Sequence, residues 1–109
     1  LMAVANHLEY VKCIYSEEEG LTVLFSGEAK DGMEGLSVSE VVGPFALITL
    51  NVNSDLMAVG FLAEITQALA EGGLSMNAFS AYFHDHLLVP YGDKGEAMEI
   101  LRALSSGKK

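Results

Sequence analysis

Leu74–Pro90 reads LSMNAFSAYFHDHLLVP. Two strand-forming runs meet at His84-Asp85, and Asp suits a tight turn because it bonds its own backbone and tolerates positive φ. The stretch therefore predicts a strand over Leu74–Phe83, a very tight turn at His84-Asp85, and a return strand over His86–Pro90. Leu74, Met76, Ala78 and Ser80 fall on one face of the first strand. Asn77, Phe79, Ala81 and Phe83 fall on the other, since strand side chains alternate.

Working outward, Phe45–Val52 (FALITLNV) is a strand with one wholly apolar face, Ala46, Ile48, Leu50 and Val52. Its second face, Phe45, Leu47, Thr49 and Asn51, is mixed, so both sides should be covered. Asn53-Ser54-Asp55 is an N-cap cluster. It predicts a helix over Leu56–Glu71 with Ala58, Leu62, Ile65 and Leu69 on the buried side and Glu64, Gln67 and Glu71 in water. Gly72-Gly73 ends that helix by offering the left-handed cap conformation. After Pro90, Tyr91-Gly92-Asp93 is a turn with Asp93 as N-cap. A last helix is predicted over Lys94–Leu104, with Ala97, Ile100, Leu101 and Leu104 inward. The order is β-α-β-β-α.

The first part of the chain adds strands but no long helix. Glu9–Tyr15 and Leu21–Phe25 read as a hairpin whose solvated turn is Ser16–Gly20, where adjacent carboxylates would repel if buried. Ser26–Gly35 is a loop with one helical turn over Glu28–Asp31. Leu36–Val42 alternates as a strand before Gly43-Pro44 breaks it. A full β-α-β-β-α-β unit needs a fourth strand after its last helix, and no residues remain for one. Leu36–Val42 is therefore expected to fill that sheet edge, which would otherwise invite pairing with another chain. The division is an N-terminal half over 1–44, a βαββα unit over 45–104 and a tail over 105–109, together one compact unit.

Composition narrows the function classes. The chain has 109 residues, half of them hydrophobic, and a formal net charge of -9. That charge argues against nucleic acid and anionic membranes as partners, both of which need clustered Lys and Arg. No apolar run approaches the roughly 20 residues of a membrane span. The single cysteine, Cys13, excludes an internal disulfide and fits a cytoplasmic, reducing setting.

Glu19–Leu104 resembles the ACT-domain superfamily of small-molecule-binding regulatory domains. The nearer resemblance is to a branch of small bacterial ACT proteins related to the CASTOR arginine sensors. It is carried by Glu19-Gly20-Leu21-Thr22, by Ile48–Val52 followed by Ser54 and by Ala58-Val59-Gly60, and above all by Ala81–Pro90 (AYFHDHLLVP). That run is similar to an AGYYHDHIFVP-type signature. The resemblance implies an α+β, ferredoxin-like ACT-type βαββα(β) sandwich with an N-terminal β-hairpin half. Three departures stand out: the additional N-terminal segment usual in the branch is missing from this sequence, Asn53 replaces a common His, and Ser16-Glu17-Glu18 replaces an Arg-Glu pair.

The resemblance also implies a binding site where the first strand of the unit meets its helix. Asn51, Asn53, Ser54, Asp55, Val59 and Gly60 are the candidates there. A helix N-terminus offers unpaired N–H groups and partial positive charge to a ligand carboxylate, and Gly60 permits close approach. By the same resemblance Asp85 holds the ligand's cationic end through charge-assisted hydrogen bonds. His84 and His86 are secondary candidates. The plainer readings stand beside these: Ser54 or Asp55 as a cap, Gly60 as a packing residue, Asp85 and the histidines as turn residues.

No cofactor is expected, and a metal held by His84 and His86 lacks the CxxC, HExxH or carboxylate–His context that zinc sites show. No catalytic constellation appears: Cys13 has no His nearby in sequence, and Ser75 and Ser80 lack a nucleophile-elbow context. The expected function is a non-enzymatic domain that binds a small molecule, an amino acid by resemblance, and acts through an interface. A homodimer is expected because the face with Phe79, Ala81 and Phe83 needs a cover. The alternative is a protein-interaction module with a degenerate ligand site, and a third reading is a metal-binding enzyme using His84 and His86.

Overall fold

A computed structural model of the chain describes residues 8–29, 41–50 and 60–106. The chain divides into two compact units, Leu1–Val42 and Gly43–Lys109.

In the first unit, a short 3-10 turn over Leu8–Tyr10 leads into β1 (Val11–Glu17), which pairs antiparallel with β2 (Gly20–Phe25). The hairpin is as expected, but its loop is only Glu18-Glu19, so Ser16 and Glu17 belong to the strand. The register shifts between Val11 and Cys13. Thr22 donates its hydroxyl hydrogen to the Glu17 carboxylate across the ribbon. The backbone N–H of Ser26 reaches the carbonyl of Tyr10 at 2.7 Å, closing the open end of the ribbon. A second 3-10 turn covers Gly27–Ala29. The expected edge strand over Leu36–Val42 lies mostly outside the described residues, and its last two, Val41 and Val42, are not in a strand.

In the second unit, β3 (Phe45–Leu50), β4 (Asn77–Ser80) and β5 (Asp85–Pro90) form an antiparallel sheet in the order β3-β5-β4. Two helices follow the expected spacing, α1 (Phe61–Glu71) and α2 (Lys94–Ser105). Ala46, Ile48 and Leu50 alternate inward along β3, as the sequence predicts. They join Ile65 and Leu69 of α1, Leu74 from the segment after it, Leu87 and Val89 of β5, and Ala97 of α2 in one buried cluster. Leu62, Met76, Ile100, Leu101 and Leu104 pack around it. Burying each large aliphatic side chain here stabilises the fold by about 1.5–3 kcal/mol before entropy is counted. Leu69, Leu87 and Val89 retain no measurable exposure, so they mark its centre.

Helix α1 ends in a Schellman arrangement. The N–H of Leu74 bonds the carbonyl of Leu69 at 3.0 Å, and that of Gly73 bonds Ala70 at 2.9 Å. Gly73 takes φ +80°, which an L side chain resists. At its other end the helix differs from expectation. Helix α1 starts at Phe61, because Gly60 sits at φ +95° as the N-cap and cannot be a helical residue, and the expected start at Leu56 lies outside the described residues. Asp93 does occupy the N-cap position of α2, without a side-chain capping bond. It closes a 3-10 turn over Tyr91–Asp93, where the Lys94 ammonium lies 4.4 Å from the centre of the Tyr91 ring.

The hairpin between β4 and β5 also differs. Strand β4 is shorter than Leu74–Phe83, and Leu74 and Met76 reach the core from an irregular segment. The Ala81 N–H donates to the His84 carbonyl at 3.0 Å, so the two-residue loop is Tyr82-Phe83, not His84-Asp85. The reason is core registry. Leu87 and Val89 must face the helices, and alternation then places Asp85 on the same face, inside the strand.

Candidate functional site

Asp85 opens β5 and pairs with Leu50 of β3 on one side and Ser80 of β4 on the other. It lies on the sheet face that carries the core residues and is only 5% exposed. It is the one charged residue in the three strands of this sheet. No hydrogen bond or ion pair engages its carboxylate among the described residues. No fully buried side-chain oxygen or nitrogen among them lacks a partner. The Asp85 oxygens therefore hold the sliver of solvent contact that the residue retains. A carboxylate that is nearly buried, yet open to solvent through its oxygens and free of protein donors, is suited to accept hydrogen bonds from a ligand cation.

The same end of the sheet is where β3 leaves Leu50 and the chain runs on to Gly60 and α1. Gly60 gives its carbonyl to the N–H of Glu64 at 2.9 Å, the first bond of the helix. The N–H groups at the start of α1 are therefore those after Gly60. A Cβ built on Gly60 meets nothing within 4 Å, so the position is open as well as left-handed. Such a helix start attracts anionic groups. Asn51, Asn53, Ser54, Asp55 and Val59 lie outside the described residues.

His86 sits on the opposite sheet face from Asp85, and His84 lies just before β5. The His86 Nδ1 and the Thr49 hydroxyl are 2.9 Å apart across β5 and β3, and His86 is half-buried. His84 is exposed, and the two imidazoles are 6.3 Å apart, centre to centre. Among the described residues no three His, Cys, Asp or Glu side chains cluster so as to hold a metal ion.

A family profile described as the ACT domain matches residues 42–103, more than half of the chain. The chain belongs to the ACT-domain family. The matched span covers the βαββα unit, and the ACT assignment agrees with the antiparallel sheet and two helices described above. A crystal structure of a Vibrio cholerae protein of unknown function, described as a possible transport protein, is similar over 90% of this chain and 73% of its own. Its identity to this ACT protein is 31% and the TM-score is 0.71. No curated protein matches the chain. ACT domains are typically small-molecule-binding regulatory domains rather than catalysts. Among the described residues no helix is long and apolar enough to cross a membrane.

Within this ACT domain Asp85 lies beside Leu50, the last residue of β3, and on the sheet face opposite to His86. Ser80 and Leu50, which flank Asp85 directly, were absent from the sequence expectation. Alternation counted back from Val89 through Leu87 puts Asp85 on the core face, but its neighbours Ser80 and Leu50 follow only from the cross-strand register.

Proposed function

We propose that this ACT domain is a cytoplasmic, non-enzymatic sensor whose ligand is an amino acid with a cationic side chain. The ligand's cationic end would meet Asp85, and its carboxylate the N–H groups at the start of α1. Asn51, Asn53, Ser54, Asp55 and Val59, on the segment between these two points, would supply the remaining contacts. The observation that carries this reading is Asp85, a carboxylate 5% exposed with no protein partner among the described residues. A buried charge left unpaired costs stability, so its retention favours a role in binding. The similarity of Ala81–Pro90 to the branch that includes the arginine sensors supports the same ligand class.

Regulation follows by linkage. A ligand that binds one assembly or conformation better stabilises it by the difference in affinity, and that stabilisation is the signal. Thermal unfolding with each of the common amino acids tests the proposal. Ligand at about 100 times its Kd should stabilise by about 2.7 kcal/mol. Asp85→Asn, which keeps the shape and removes the charge, should abolish the shift.

One observation favours the second reading, a protein-interaction module with a degenerate site. Tyr82 and Phe83 form the hairpin tip with 93% and 83% of their surface exposed, and their rings touch edge to face at 4.9 Å. If no amino acid stabilises the protein, this reading takes precedence.

A further inference from the structure

Asp85 is walled in along its own sheet face on two sides. Leu50, its partner on β3, is buried, and Leu87, the next β5 residue on that face, has no exposure. The β4 side of the same face is different. Ser80 lies directly opposite Asp85 and Ala78 directly opposite Leu87, so register puts both on the face that the core residues occupy. Yet both are exposed, and the buried cluster takes no residue from β4. The core therefore stops at β5, and beside the nearly buried carboxylate lies an open strip of two small side chains.

The pairing also brings Ser80 close. The Ala81 N–H and His84 carbonyl close the loop, so Ser80 and Asp85 form the next, non-hydrogen-bonded pair of the ladder. Facing side chains stand closest in such pairs, with Cβ atoms about 4.5–5.5 Å apart. The Ser80 hydroxyl bonds neither Asp85 nor any other side chain among the described residues.

We propose that Ser80 is the second side chain of the cation site, and that the ligand reaches Asp85 over β4, across the strip that Ala78 and Ser80 leave open. This rests on the reading above that Asp85 receives a cationic group, and it adds a contact and a direction of approach. Two small residues on an edge strand would mean little alone. What marks these is the carboxylate on the same face, 5% exposed and without a protein partner. An ammonium or guanidinium group carries three or more N–H donors. Asp85 accepts some of them, and the Ser80 oxygen accepts another through a lone pair without adding a second charge. A longer side chain at Ser80 or Ala78 would stand in the way.

Isothermal titration of the full chain with arginine and with lysine tests this. Ser80→Ala keeps the space and removes the hydroxyl, and should weaken binding of the cationic amino acid by about tenfold or more, the scale of a hydrogen bond to a charged group. Ser80→Thr restores a hydroxyl and should bind as the wild type does. Ser80→Leu blocks the approach and should abolish binding. Ala78→Leu blocks it from the next position on the same face and serves if Ser80→Leu fails to fold, as judged by the thermal midpoint without ligand. Asn77→Ala, on the other face of β4, should bind as the wild type does. Folded Ser80→Ala that binds like the wild type, or Ser80→Thr as weak as Ser80→Ala, overturns the contact. Undiminished binding by folded Ser80→Leu or Ala78→Leu overturns the approach over β4. In each case loss of binding in Asp85→Asn leaves the sensor reading standing. A wild type that binds neither amino acid overturns both.

Discussion

Replacing Gly73 by Ala isolates one term in the stability of the helix layer. Gly73 holds φ +80° at the end of α1, and a Cβ built there meets nothing within 4 Å. The substitution therefore adds no clash and removes no contact, and its cost is the backbone strain of an L residue in the left-handed region, about 1–2 kcal/mol. In a domain of this size that lowers Tm by several degrees, at about 4–8 °C per kcal/mol. Gly73→Asn should lose less, because Asn tolerates this conformation better. Neighbouring Gly72 offers the contrast. Its backbone is ordinary (φ -80°), but an added Cβ would lie 2.7 Å from Cδ1 of Ile100 on α2. Gly72→Ala must displace a flexible side-chain tip, so its effect depends on packing between the helices rather than on strain. Chemical denaturation of the variants, read by far-UV circular dichroism, measures the differences. A neutral or stabilising Gly73→Ala would refute the reasoning, since it would mean that the chain turns there without the left-handed residue.

Further outcomes follow from the packing. Leu69→Ala removes a side chain with no exposure from the centre of the core and should destabilise by about 2–5 kcal/mol, measured by urea denaturation. Thr49→Val removes the hydroxyl that bonds His86 on an exposed face, and its cost should stay below about 1.5 kcal/mol in the same assay. Gly60→Ala should cost about 1–2 kcal/mol by the same strain as Gly73→Ala, because its φ is +95° and the space around it is open. A shift near zero would place the helix start elsewhere.

The fold was legible where one periodicity dominates. Ala46, Ile48 and Leu50 alternate cleanly, and Leu62, Ile65 and Leu69 repeat at helical spacing, so β3 and the body of α1 follow directly from the sequence. The same holds for Ala97, Ile100, Leu101 and Leu104 in α2. The misplaced features are those where local chemistry and long-range registry disagree. Asp85 is a good turn residue and Tyr82-Phe83 a poor-looking one, yet Leu87 and Val89 fix the register of β5 and force the loop onto the aromatic pair. The expected unbroken helix is interrupted at Gly60, whose φ of +95° no helical residue adopts, while Asn53-Ser54-Asp55, with its cap chemistry, lies outside the described residues. The site was legible in part for the same reason. Asp85 was singled out as a ligand contact, but from a turn, whereas its place in the strand is what buries it beside Leu50 and Ser80. That His86 and Asp85 lie on opposite faces of the sheet follows only once the strand is seen to begin at Asp85.

The proposed site turns on Asp85, a carboxylate 5% exposed with no partner among the described residues. The direct measurement is isothermal titration of the wild-type protein and Asp85→Asn with arginine and lysine, with leucine as an uncharged comparison. Saturable binding of a cationic amino acid to the wild type is expected, with none of leucine and at least a tenfold loss in Asp85→Asn. Equal binding by the two proteins, or a preference for leucine, would contradict it.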